Sequence, residues 1–200
     1  MATELGQVPD WLASSEPVQT PWRAAALAAA GNGARPGSRI ADLGAGEGWL
    51  TLQLARRVGP SGRVFAADIS EAALGLLAGK LAKDTLRNVE LVLAEEDDPR
   101  LPFGTLDGVV ILNSYHEMTK RVPVLEGVKR ALKPGGLLVI VDNTPRDQGR
   151  SRKDQVADHV LALDLARDDL EAAVGDPLVQ DARVVGRPVP AGTLDSTARK

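Results

Sequence analysis

Apolar and polar positions along the chain alternate between two periods. Arg39-Ile40-Ala41-Asp42-Leu43 is a short apolar run ending in glycines, and Leu50, Leu54 and Val58 then recur at fourfold spacing. The run predicts a strand and the recurrence one face of a helix, which Gly59-Pro60-Ser61-Gly62 stops. The same alternation repeats twice. Arg63 to Ala67 reads as a strand with Asp68 at its carboxyl end, and Ser70-Glu71 opens a helix whose inner face is Leu74, Leu77 and Leu81. Asn88 to Ala94 is the third strand, followed by an acidic, proline-bearing loop from Glu95 to Gly104. Leu106 to Leu112 is almost wholly apolar, as a strand buried on both faces must be. A helix over about Val122 to Leu132 carries Val124, Val128 and Leu132; Lys133-Pro134-Gly135-Gly136 breaks it, and Leu137 to Asp142 is the fifth strand.

Strands alternating with helices predict an α/β protein with a doubly wound, mostly parallel sheet covered by helices on both faces. Three further segments are expected outside this frame. Thr20 to Ala30 reads as a helix closed by Gly31-Asn32-Gly33, Arg152 to Val174 is helical in pattern, and Leu178 to Val185 is a candidate sixth strand. The expected organisation is an N-terminal helical segment at 1–35, one ligand-binding domain at 36–185 and a flexible tail at 186–200.

Composition narrows the function classes. The 200 residues contain no cysteine, so disulfides, zinc ribbons, iron–sulfur clusters and thiol nucleophiles are all closed off. No metal site is expected. A net charge of -3 gives no basic field to draw in a polyanion, and six aromatic residues are too few for base-stacking platforms. Nucleic acid and membrane partners are therefore not expected. The start of the chain lacks a basic, apolar leader and no apolar run is long enough to span a bilayer, so the expected setting is the cytoplasm.

Ligands of doubly wound sheets sit beyond the carboxyl ends of the strands, where the strand order reverses, so those ends carry the chemistry. Asp42-Leu43-Gly44-Ala45-Gly46-Glu47-Gly48 lets backbone approach a ligand closely. Its third glycine comes one residue early for a dinucleotide fingerprint, Trp49 stands where a small residue is wanted, and Asp42 puts a negative charge where a pyrophosphate would lie. A ligand with a cationic amino group suits it better. Asp68 occupies the strand end from which an acidic side chain takes ribose hydroxyls in such folds, and Glu95-Glu96-Asp97 follows the third strand, within range of an adenine edge.

These motifs, with Asn113-Ser114-Tyr115-His116-Glu117 and the Lys133-Pro134-Gly135-Gly136 strand entry, resemble the class I S-adenosylmethionine-dependent methyltransferases, and within them the small-molecule, quinone-biosynthesis branch. The resemblance is strong from Arg39 to Asp142 and weaker to Ala173. It implies a Rossmann-like methyltransferase fold, S-adenosylmethionine as cofactor and a small-molecule methyl acceptor; the chain departs from the family pattern after Ala173, where the C-terminal hairpin is expected to be shortened or absent. Carried onto this chain, it implies that Gly44, Ala45, Gly46 and Gly48 wrap the methionine moiety and that Asp42 steadies the loop and the cofactor's ammonium. Asp68 would hold the ribose, Ile69 would pack on adenine, Glu95 or Glu96 would face its amino group, and Asn113 would line the methionine side. Tyr115, His116 and Glu117 would stand at the methyl-transfer end, His116 as general base, with His159 reaching the same mouth from a later helix. Two rival functions share the fold: an NAD-dependent oxidoreductase, and a cofactor-binding module without catalysis.

Overall fold

A computed structural model describes residues 34–142 and 182–186 of the chain. The expected helices at Thr20–Ala30 and Arg152–Val174, and with the latter His159, lie outside the described residues. Within them run β1 (Arg39–Leu43), α1 (Trp49–Val58), β2 (Arg63–Asp68), α2 (Glu71–Asp84), β3 (Val89–Leu93) and β4 (Leu106–Leu112). A single 3-10 turn (Tyr115–Glu117), α3 (Arg121–Ala131), β5 (Leu132–Asp142) and β6 (Ala182–Gly186) complete the order.

The six strands form one sheet in the order β3-β2-β1-β4-β5-β6, with every pairing parallel. The order reverses between β1 and β4. Each strand sends alternate side chains to opposite faces: Ile40, Val110, Val139 and Val141 pack with Leu50, Leu54 and Val58 of α1, whereas Ala41, Val109, Leu138 and Ile140 pack with Val124, Leu125 and Val128 of α3. Two-sided burial explains why β4 shows no polar face to a sequence reader. Helix α2 joins α1's face through Leu77 and Leu81 on Ala66.

Helix boundaries follow local chemistry. Ser70 caps α2 by accepting a hydrogen bond from the Ala73 amide at 3.2 Å, and Gly48, in the left-handed region, precedes α1. Two expected boundaries shift. Helix α3 stops at Ala131, and Leu132 already pairs with Leu106 as the start of β5. The next pair is Gly108 with Leu137, so Lys133–Gly136 bulge out of the ladder; Asp107 ties this bulge down, accepting from Lys133 Nζ at 2.6 Å and from the Arg39 amide at 2.8 Å. The candidate sixth strand forms at its carboxyl half, Ala182–Gly186, parallel to β5.

Candidate functional site at the strand-order reversal

Beyond the carboxyl ends of β1, β2 and β4 opens a cleft of about 340 Å³, lined by Leu43, Gly44, Gly46, Asp68, Ile69, Ala94, Glu95, Glu96, Pro99, Asn113, Ser114, Glu117, Met118, Thr119 and Val124. Its size lies within the range of small-molecule sites, and its place is the one sheet topology dictates.

The glycine loop forms one lip. Its amides are turned inward: Gly44 and Ala45 both donate to the Ala67 carbonyl, at 2.8 and 3.1 Å, and Gly48 donates to Ala45 at 2.9 Å. The Gly46 amide donates to Asp68 Oδ2 at 2.7 Å, while Asp68 Oδ1 accepts from the Ser70 amide at 2.9 Å. Lys80 of α2 holds the tip through the Glu47 carboxylate at 2.8 Å and its carbonyl at 3.1 Å. The three glycines have different duties. A Cβ on Gly44 would stand 2.2 Å from Ser114 Oγ, and one on Gly48 would stand 2.1 Å from Leu77, so these two allow the loop to touch β4's end and α2. A Cβ on Gly46 would meet nothing within 4 Å, leaving its exposed side to the cleft.

Beneath the loop Asp42 is buried, and its Oδ2 accepts from Thr51 Oγ1 at 2.6 Å. Burial pushes its carboxyl up to about 6, against the lowering effect of the Thr51 bond and with a further push from Asp68. Asp42, Ala45 and Gly48 support the loop without lining the cleft.

Asp68 and Ile69 meet at the end of β2, and Ile69 is 64% exposed, a large apolar side chain lying open on the cleft wall. Along the same cleft Glu95 pairs with Arg100, and Lys120 bridges two loops through Asp97 at 3.1 Å and Glu96 at 3.9 Å. Its hydrogen bond and charge contact with Asp97 hold the Lys120 ammonium above the usual lysine range.

The second lip follows β4. Asn113 adopts φ +53° while its amide donates to Val141 at 2.7 Å, and Ser114 Oγ donates to the Leu43 carbonyl at 3.2 Å. A non-glycine residue in that region marks a backbone held by its surroundings. The 3-10 turn then divides its three residues. Tyr115 is wholly buried in the core and His116 is 6% exposed; neither lines the cleft, whereas Glu117 does and is 67% exposed. His116 Nε2 lies 3.7 Å from Glu117 Oε1. The expected cluster at the methyl-transfer end therefore reaches the cleft through Glu117.

Sequence reading missed Arg121. It is 8% exposed, its Nε and Nη2 donate to the carbonyls of Tyr115 and His116 at 3.2 and 3.1 Å, and its guanidinium lies over the Tyr115 ring. Nothing in its sequence position, at the start of a helix where a cation is disfavoured, advertises that task. Ser114, Met118 and Thr119 were also missed as lining residues, although they adjoin the motif that was read.

Fold and cleft together define an α/β protein of the doubly wound class, with a ligand-sized cleft at its strand-order reversal. The family described as methyltransferase domain matches residues 40–136. The ubiquinone/menaquinone biosynthesis C-methyltransferase UbiE of Teredinibacter turnerae is 36% identical over 112 residues, which is 56% of this chain and 45% of that protein; that of Vibrio cholerae is 37% identical over the same length. The chain spans a little under half the length of these curated relatives. The crystal structure of a SAM-dependent methyltransferase from Aquifex aeolicus is 30% identical, with a TM-score of 0.62 over 71% of this chain and 74% of that one. The [4+2]-cyclase SpnF, at 18% identity and a TM-score of 0.65 over 80% of this chain and 61% of that one, shares the fold alone. The chain belongs to the S-adenosylmethionine-dependent methyltransferases.

Proposed function

We propose that the cleft binds S-adenosylmethionine and that the protein transfers its methyl group to a small, nucleophilic acceptor of the quinol type. The observation that carries this reading is the glycine loop, whose Gly44, Ala45, Gly46 and Gly48 amides all donate within the protein. A dinucleotide pyrophosphate needs such amides for itself, so a phosphate-free nucleoside with a positive charge suits the loop far better. That argues against the oxidoreductase.

In this reading Asp68 accepts from the ribose hydroxyls with the lone pairs its two backbone partners leave free. Ile69 stacks on the adenine, Glu95 or Glu96 meets its amino edge, and Asn113 and Gly46 flank the methionine arm. Asp42 fixes the loop from below and supplies negative charge toward the ammonium. The cofactor supplies an electrophilic methyl on a sulfonium. The acceptor's electron pair forms the new bond to carbon, the carbon–sulfur bond breaks with its pair left on sulfur, and the acceptor's proton passes to a base. Glu117 faces the cleft for that task and His116 stands behind it, with His159 and Tyr115 in supporting roles; alignment of acceptor and methyl group supplies much of the acceleration. The same proposal includes a cytoplasmic setting, no nucleic-acid partner, and a division into 1–35, 36–185 and 186–200. Among the described residues no helix is long and apolar enough to cross a membrane.

Incubation with methyl-labelled S-adenosylmethionine and a panel of quinols, phenols and amines tests the activity. Label is expected on a small molecule, with Glu117→Ala and His116→Ala each lowering transfer. Cofactor binding without transfer to any acceptor would instead favour the non-catalytic module.

A further inference from the structure

Among the described residues, every charged side chain lining the cleft is acidic: Asp68, Glu95, Glu96 and Glu117. Their surroundings differ. Glu95 is neutralised by Arg100 and Glu96 faces Lys120, while both Asp68 oxygens accept backbone amides. Among the described residues, Glu117 alone of the four is met neither by a lysine or arginine nor by backbone amides; its ion-pair partner is His116 at 3.7 Å, a charged one only when the imidazole is protonated. The least compensated carboxylate of the cleft among the described residues therefore lies at its β4 end.

We propose that Glu117 is a specificity-determining residue that selects for positive charge at this end. It favours a ligand carrying a cation there, and it excludes acceptors bearing a carboxylate or phosphate beside the reacting atom. A like charge brought against an uncompensated carboxylate is repelled, and because Glu117 is exposed the effect is modest and screened by salt. The inference rests on the preceding reading, in which adenosine occupies the Asp68–Glu96 end and leaves the Glu117 end to the sulfonium and the acceptor.

Two cofactor analogues separate charge from shape without any acceptor. S-adenosylhomocysteine is neutral at sulfur, and sinefungin carries an ammonium group in place of the sulfonium methyl. Calorimetric titration of both into the wild-type protein, Glu117→Gln and Glu117→Lys gives the readout, and the exposure of Glu117 makes both variants compatible with the fold. For an exposed pair the expected loss of sinefungin affinity is roughly threefold in Glu117→Gln and roughly tenfold in Glu117→Lys. S-adenosylhomocysteine affinity should stay unchanged, and the sinefungin loss should shrink as salt is raised. Equal weakening of both ligands would make Glu117 a shape contact, and no change for either would remove it from the site; both results overturn the proposal. Failure of either analogue to bind the wild-type protein would overturn the preceding reading and this one with it.

Discussion

On the β1–β2 side of the cleft the loop Gly44–Gly48 is fastened largely by main-chain amides, to Ala67, Asp68 and Ala45. On the β4 side the turn 115–117 depends on side chains, with Arg121 gripping two of its carbonyls and Ser114 reaching Leu43. The difference separates two kinds of information. A lip built from backbone geometry needs glycines at fixed places, and spacing alone reveals it. A lip built from side-chain packing depends on which residue of a short turn faces inward, and that is decided by partners distant in sequence.

Gly44 is where the lips touch, so Gly44→Ala should give the largest effect. Its Cβ would collide with Ser114 in a backbone at φ +78°, for an expected destabilisation of about 3 kcal/mol and loss of ligand binding. Denaturant titration checks this; a variant as stable as the parent would break the claim that the contact is tight.

Asp42, beneath the glycine loop, makes that lip sensitive to pH. Its carboxyl sits near 6 in the fold against an ordinary value of 3.8, so between those values the folded protein holds a proton that the unfolded chain has released. Stability therefore falls as pH rises through this window, by roughly 3 kcal/mol in all, and stays lower above it. Asp42→Asn should be the more stable protein at pH 7.5, with the advantage vanishing near pH 4. Denaturation at both pH values tests it, and a difference independent of pH would contradict the burial argument. A carboxylate kept at such a cost fits a task in binding rather than in folding.

Arg121→Met removes both donors from the turn and should cost about 2 kcal/mol. Amide exchange at 115–118 should quicken while affinity for S-adenosylhomocysteine stays within about threefold, because the other lip is intact. A large loss of affinity would show that the lips are not independent. Gly46→Ala is the mildest for the fold, about 1 kcal/mol of backbone strain with no collision, yet it should weaken the ligand at least tenfold.

The same distinction explains how much was legible beforehand. Leu50, Leu54 and Val58, and Leu74, Leu77 and Leu81, face inward as their spacing requires, because a helix packed on a sheet has one buried stripe. Gly46, Asp68, Ile69, Glu95, Glu96 and Asn113 were readable as cleft residues because topology fixes where strand ends go. Periodicity ran past the end of α3 because Leu132 is as apolar in β5 as it would be in a helix. It also gave no means of separating Tyr115 and His116 from Glu117, since a three-residue turn has no repeating pattern. Arg121 was invisible for another reason: its role is defined by carbonyls five and six residues back.

If a nucleoside cofactor is held by Asp68 beside the glycine loop, its affinity depends on that carboxylate. Calorimetry with S-adenosylhomocysteine and NAD on the wild-type protein and Asp68→Ala tests it most directly. Loss of hydrogen bonds from a charged acceptor predicts a fall in S-adenosylhomocysteine affinity of roughly 10- to 150-fold, with no NAD binding to either protein. Unchanged affinity in the variant, or preferential binding of NAD, would contradict the account.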